Sequence, residues 1–155
     1  MAQTADELAK ACAAALWQTD QASQSMGMQL DAVSPGKACV SMLVTDVMVN
    51  GHGTCHGGVI FTLADSAFAF ACNSYNQRTV AQHCSVTFLT PAYLGDRLVA
   101  EATERQRQGR SGIYDIVVRT EKDMTIAEFR GHCRTVKGTL LPPEDVASEA
   151  TEEDC

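Results

Sequence analysis

No apolar run in this chain approaches the length needed to span a bilayer, and no C-x-x-C pair occurs among its seven cysteines. The first absence argues against a transmembrane helix. The second, with an odd count scattered over positions 12, 39, 55, 72, 84, 133 and 155, argues for reduced thiols, several of them small core residues. A basic excess is also lacking: 12 Lys and Arg stand against 19 Asp and Glu. Six of those acids follow Pro143 with no basic residue among them, which leaves 13 acidic against 12 basic side chains in the body. A nearly neutral body argues against nucleic acid as the main partner, and the acidic end reads as a solvating, disordered tail. Ala11 to Trp17 is apolar, but Asp6 and Glu7 stand where a secretory leader would carry positive charge. A cytoplasmic location is therefore expected.

What is present suits one compact domain: 155 residues, 45% hydrophobic, with no internal repeat. Thr4 to Gln24 is rich in Ala, Leu, Lys and Glu, which predicts an N-terminal helix ending before Gly27. Gln29 to Val33 and Lys37 to Val44 flank Ser34-Pro-Gly36 and read as a hairpin, with Ala38, Val40, Met42 and Val44 facing one way. His56 to Asn73 is too long for an ordinary strand and apolar nearly all round, which predicts a core helix surrounded by other structure. Four strand-like segments follow, at 79–89, 97–107, 112–121 and 125–137. In the last, Ala127, Phe129, Gly131, Cys133 and Thr135 alternate with Glu128, Arg130, His132 and Arg134, so one face is apolar and the other wet. This order predicts an α+β fold: an antiparallel sheet of five to six strands curled around one long buried helix.

Formal charge is almost missing from the middle of the chain, where Asp65 is the only charged residue between Asp46 and Arg78. A lone carboxylate in the run Val59-Ile-Phe-Thr-Leu-Ala-Asp-Ser-Ala-Phe-Ala-Phe-Ala-Cys72 is costly to bury without a partner, which makes it a functional candidate. A purely structural role would bond it to Ser66, Asn73 or neighbouring backbone. Just upstream, Asn50-Gly-His-Gly-Thr-Cys-His-Gly-Gly58 brings small residues into the helix start, where backbone N–H groups lack partners. A carboxylate and a helix N-terminus together suit chemistry on a polarised carbonyl.

These two segments resemble the hotdog-fold acyl-CoA thioesterases, and among them most of all the phenylacetic acid degradation thioesterases, which hydrolyse hydroxylated phenylacetyl-CoA. The resemblance runs from about Gly27 to Val136 and takes in Phe88-Leu-Thr-Pro91, Gly112-Ile-Tyr-Asp115 and Phe129-Arg-Gly131. It implies a hotdog domain over residues 27–139, between an N-terminal helix at 1–26 and the acidic tail at 140–155. It also implies a cytoplasmic homotetramer built from dimers, active sites at the dimer interface, and no metal or other cofactor. Carried over by position, it makes Asp65 the catalytic carboxylate, Gly57 the N–H donor to the thioester oxygen, and Asn50 the residue that orients the carbonyl or the water. Thr90 departs from the family pattern, which often has arginine there.

The expected substrate is an aryl- or short acyl-CoA thioester, with (hydroxy)phenylacetyl-CoA favoured, and the products are the free acid and coenzyme A. Asp65 either attacks directly or activates a water, and both routes stay open at this stage. Gly57 and Asp65 are eight residues apart, about 12 Å along a helix at ~1.5 Å per residue. No Asp side chain crosses that gap, so the carboxylate is expected to come from a second copy whose helix runs antiparallel across a two-fold axis. Gly58, His52, His56, Phe61, Ser85, Arg110 and Ser111 are further substrate-binding candidates, with Arg105 and Arg107 beside Arg110 as phosphate-type donors. His52, Cys55 and His56 have ligand chemistry but no matching second Cys/His pair, so zinc is not expected. The alternatives are a thioesterase for medium or long acyl chains, a hydratase on the same kind of fold, and a non-catalytic acyl-CoA binding module.

Overall fold

The computed structural model describes residues 2–143, so nearly all of the acidic tail, Cys155 included, lies outside the described residues. Helix α1, Ala5–Thr19, starts on a reciprocal cap: the Thr4 hydroxyl accepts from the Glu7 amide at 3.1 Å, and the Glu7 carboxylate accepts from the Thr4 amide at 3.0 Å. The single helix expected from Thr4 to Gln24 is broken at Asp20. That residue leaves helical geometry (φ −81°, ψ 78°), and its carboxylate captures the Ser23 amide at 3.0 Å, which starts the short helix α2, Gln21–Ser25. Competition of a short polar side chain for backbone N–H groups is the physical reason.

Six strands follow the expected order: β1 Gln29–Ser34, β2 Lys37–Leu43, β3 Thr79–Phe88, β4 Arg97–Gln108, β5 Ser111–Thr120 and β6 Thr125–Thr135. Helix α3, Gly57–Cys72, lies between β2 and β3 in the chain, after one 3₁₀ turn at Asp46–Met48. All pairings are antiparallel, and the sheet order is β1-β2-β4-β5-β6-β3. β3 is therefore an edge strand, paired only with β6. Bulges interrupt the register at Leu30/Ala32, Ala81/His83, Glu104/Gln106 and Val118/Arg119, which bends the strands as a curved sheet requires.

The sheet curls round α3, which packs on every strand. Leu63, Ala64, Ala67, Phe68 and Phe70 of α3 are buried against Val40, Met42, Leu98, Ala100, Ile116, Val118, Ala127 and Phe129. The alternation read for β2 and β6 holds: Ala38, Val40, Met42 and Val44 are buried, while Glu128, Arg130 and Arg134 are exposed between buried Ala127, Phe129, Gly131 and Cys133. Ala13, Leu16 and Trp17 of α1 join the same core, and Trp17 lies 6.1 Å from the Phe70 ring. The helix is not enclosed on all sides within one chain, as its composition suggested. Gly58 is exposed, and Thr62, Asp65 and Ala69 are only partly covered, forming an open stripe turned away from the sheet.

Close packing between helix and sheet, and between neighbouring strands, depends on two glycines. A Cβ at Gly131 would stand 2.7 Å from the Phe68 ring, and one at Gly112 would stand 2.8 Å from the Cys133 sulfur. Gly131→Ala is expected to destabilise the fold by about 1–3 kcal/mol through overpacking. Gly51→Ala, at a position with nothing within 4 Å, should stay within ~0.5 kcal/mol. Midpoints of denaturant unfolding of the two variants against the parent check this.

Candidate active site

The loop before α3 is held at both ends. Val49 bridges Cys55, the Cys55 amide donates to Ala92 O at 2.7 Å, and the His56 amide donates to Met48 O at 2.8 Å. Between them the Asn50 Oδ1 accepts from the His52 amide (2.9 Å), the Thr54 amide (3.2 Å) and the Thr54 hydroxyl (3.2 Å). The asparagine oxygen thus shapes the loop. Its Nδ2 has no acceptor among the described residues, which leaves a donor over.

The loop delivers His56 as the N-cap of α3. Its Nδ1 accepts from the Gly58 amide at 2.9 Å, which requires a neutral ring with the proton on Nε2. Its carbonyl accepts from Val59 at 2.9 Å and Ile60 at 3.2 Å. Every amide of the first turn is then satisfied except that of Gly57, which has no partner among the described residues. One N–H therefore points out of the positive end of the helix. The two glycines permit this layout: a Cβ at Gly58 would press the His56 ring at 3.1 Å, and one at Gly57 would press Phe88 at 3.1 Å.

Asp65 sits two turns further along, on the open stripe of α3. None of the partners expected of a structural carboxylate holds it. Ser66 Oγ bonds Ser23 Oγ at 2.8 Å, and the Asn73 side chain is spent on Ala69 O (2.9 Å), Thr79 O (3.0 Å) and the Thr79 amide (2.9 Å). Asp65 takes part in no hydrogen bond or ion pair among the described residues. Burial, and after it the charge of Asp20, pushes its carboxyl above the usual value.

The remaining candidates divide. Phe61 is half-buried, edge-on to Phe129 at 5.0 Å, beside the core. The His52 side chain is exposed at the loop tip. His56 and Cys55 do not converge as ligands, since His56 Nδ1 is occupied and Cys55 is buried. Ser85 lies away from Gly57 and Asp65. With Thr87, Thr103, Asp115 and Arg130 it lines a groove of about 580 Å³ on the outer side of the sheet, while Cys84 and Val86 point to the helix side. Arg110 and Ser111 are exposed in the β4–β5 turn. That turn belongs to the end of the sheet where α3 finishes, as the hydrogen bond from Tyr75 to Glu104 (2.9 Å) shows. Of the three clustered arginines, Arg105 pairs with Asp115 at 3.4 Å and Arg107 covers the Tyr75 ring at 3.5 Å, leaving Arg110 as the one without a partner among the described residues. One neighbour of the helix start belongs to the segment Phe88-Leu-Thr-Pro91 of the resemblance, where it has no role of its own. Phe88, half-exposed, lies against Gly57. Its signal was available, since Cys84, Val86 and Phe88 alternate toward α3.

A family profile described as the thioesterase superfamily matches residues 52–127. The chain is 41% identical over 126 residues to the acyl-coenzyme A thioesterase PaaI of Escherichia coli (strain K12), covering 81% of this chain and 90% of that protein. The solved structure of the E. coli PaaI protein from the phenylacetic acid degradation operon matches with a TM-score of 0.86 at 39% identity, covering 88% of this chain and 99% of that one. The human acyl-coenzyme A thioesterase 13 is 33% identical over 95 residues, which is 60% of this chain and 67% of that protein.

The isolation of Asp65 has a consequence for stability. A carboxyl whose folded-state pKa is raised favours the native state below its unfolded pKa, and that contribution is lost as pH rises through the folded value. Asp65→Asn is therefore expected to raise the thermal midpoint at pH 7 and to change it little below about pH 4. Unfolding of both proteins across this range measures it.

Proposed function

The chain belongs to the thioesterase superfamily, and from that premise we propose that its reaction centre is divided between two copies, the Gly57 amide of one and the Asp65 carboxylate of the other. The protein is an acyl-CoA thioesterase, a thioester hydrolase of hotdog fold. The observation that carries the divided centre is that an amide and a carboxylate, each without a partner among the described residues, occupy one helix, eight residues and about 12 Å apart. A thioester carbonyl resting on the Gly57 N–H cannot meet Asp65 of its own chain.

In the proposed reaction the thioester oxygen accepts a hydrogen bond from the Gly57 N–H, aided by the positive end of α3, and charge growing on that oxygen strengthens the bond. Asn50 Nδ2 helps orient the carbonyl or the water. The opposing Asp65 either removes a proton from water as it adds to the carbonyl carbon, or adds first itself to form an acyl anhydride that water then opens. In both routes the C–S bond breaks, coenzyme A leaves as thiolate and takes up a proton. No step calls for a metal or another cofactor.

Two features of the fold support pairing. β3 offers ten residues of edge backbone, with Val80 and Phe88 each about half exposed along it. The open stripe of α3 needs a cover, and a second α3 running antiparallel supplies both that cover and the missing carboxylate. The same antiparallel arrangement carries the Arg110–Ser111 turn of one copy toward the helix start of the other, where a coenzyme A phosphate would find it. A homodimer is then the smallest active unit, with a tetramer of paired dimers as the full assembly. Phe88 and Phe61 near the helix start favour an aryl acyl group such as (hydroxy)phenylacetyl. No described helix is long and apolar enough to cross a membrane. The cytoplasmic location is proposed from the scattered, odd-numbered cysteines.

Free-thiol release from a panel of CoA esters, from acetyl through hydroxyphenylacetyl to long chains, should give the highest kcat/KM with the aryl esters. Tight binding without release would overturn the enzymatic reading. Asp65→Asn is expected to lower turnover by roughly 10²–10⁴ with the fold intact. Gly57→Pro removes the amide at the first helical position, where proline fits the backbone and the half-exposed Phe88 ring can give way to the added Cβ. Each variant alone should be inactive, and refolding the two together should restore activity in hybrid dimers; a mixture as inactive as its components would refute the divided centre.

A further inference from the structure

The N-terminal segment meets α3 at a polar seam next to Asp65. Asp20, at the break between α1 and α2, accepts from the Ser23 amide at 3.0 Å and from the Ser23 hydroxyl at 2.6 Å. Ser23 Oγ also lies 2.8 Å from Ser66 Oγ. The Ser23 hydroxyl has one proton, and the carboxylate takes it, so Ser66 donates to Ser23 and the chain runs from Ser66 through Ser23 to Asp20. Ser23 is 1% exposed and Ser66 9%, so water does not compete for the bond between them, while Asp20 at the end of the chain is half-buried. Ser66 is the residue after Asp65, on the buried flank of the same helical turn.

Capping alone does not account for a carboxylate at position 20. Serine or asparagine would start α2 equally well, and Asp20 has no cationic partner among the described residues. Its charge acts on Asp65, second to burial, in the direction that favours the protonated carboxyl. The titratable groups that act on Asp65 or feel it are Asp20 from the N-terminal segment, Cys84 from β3 and Cys72 at the end of α3, with no cation among them.

We propose that Asp20, through Ser23 and Ser66, is a positioning residue for Asp65: it fixes the turn of α3 that carries the carboxylate and sets a second negative charge beside it. This rests on the reading of Asp65 as the reacting carboxylate. The hydrogen-bonded chain stops α3 rotating or sliding at the turn where Asp65 must meet a carbonyl. The neighbouring charge adds to burial in raising the affinity of Asp65 for a proton, which makes it the stronger base toward water or the stronger nucleophile toward carbon.

The test is the pH dependence of kcat and KM for thiol release from phenylacetyl-CoA, measured on the full chain carrying Asp20→Asn, Asp20→Ser, Ser23→Ala or Asp65→Asn. Both Asp20 variants keep a capping side chain, so one can stand in should the other fold poorly. Removing the charge is expected to move the acid limb of the profile to lower pH and to reduce kcat roughly 3- to 10-fold with KM unchanged. Ser23→Ala, which keeps the charge and breaks the chain, should lower kcat and leave the limb in place. An unmoved limb in both Asp20 variants, with Asp65→Asn inactive, would overturn the role of Asp20 and spare that of Asp65. Full activity in Asp65→Asn would overturn the reading beneath both. Loss of thermal stability alone would reduce Asp20 to a structural cap and refute the inference.

Discussion

The Phe68 ring lies on the bare backbone of Gly131, and this contact sets how deep α3 sits in the curl of the sheet. From that depth the other distances follow. Phe68 also meets Tyr114 at 5.6 Å and Phe129 at 6.2 Å, and Phe129 meets Phe61 at 5.0 Å, so one aromatic row ties the helix to β5 and β6. With its inner side committed in this way, the helix has only one stripe left over, and Asp65 is on it. The carboxylate has no partner among the described residues, because the nearby serines Ser66 and Ser23 are spent on each other and on Asp20. The same rigid seating fixes the direction in which the Gly57 amide points.

Much of this was legible in the sequence because the signals were local. β6 alternates residue by residue, α3 is apolar for more than four turns, and Asp65 stands out as the one charge in its region. The Asn50–Gly58 segment points to the candidate site by composition as well as by resemblance. The less legible features depend on the folded chain. Asp20 looks like any polar residue in an Ala-rich helix until its side chain is seen to take the Ser23 amide. His83 and Ser85 share a face, as alternation requires, and the apolar Cys84, Val86 and Phe88 between and beyond them take the helix side, which leaves that face on the outside of the sheet. Ser85 consequently pairs opposite Arg130 on the outer side of the sheet. The edge position of β3 follows from pairing with the last strand, a contact that no local pattern encodes.

Charge is divided between the two sides of the sheet. The outer face carries Arg130 bonded through two nitrogens to Asp115 at 2.7 and 2.9 Å, which holds the Asp115 carboxyl below its usual value, with Arg105 and Arg119 in further pairs. Exposed pairs of this kind contribute only about 0–1 kcal/mol each. Their effect is to keep the outer surface wet. The helix side has the opposite character: tyrosine, phenylalanine and buried thiols such as Cys72 and Cys133, with the Glu104 carboxylate held by the Tyr75 and Tyr114 hydroxyls and the Asp65 carboxylate left open. The carboxyls of Asp65 and Asp115 are accordingly pushed in opposite directions.

The strand order also bears on how the protein is made. The ribosome releases α3 before β4, β5 and β6, which supply most of the surface it must cover, and β3 before β6, its only neighbour in the sheet. Throughout that interval the nascent chain carries an apolar helix and an unmatched strand into solvent. The last ladder can start at its Phe88–Ala127 end and closes only when Thr135 emerges to meet Thr79, so the sheet is completed by the final strand made.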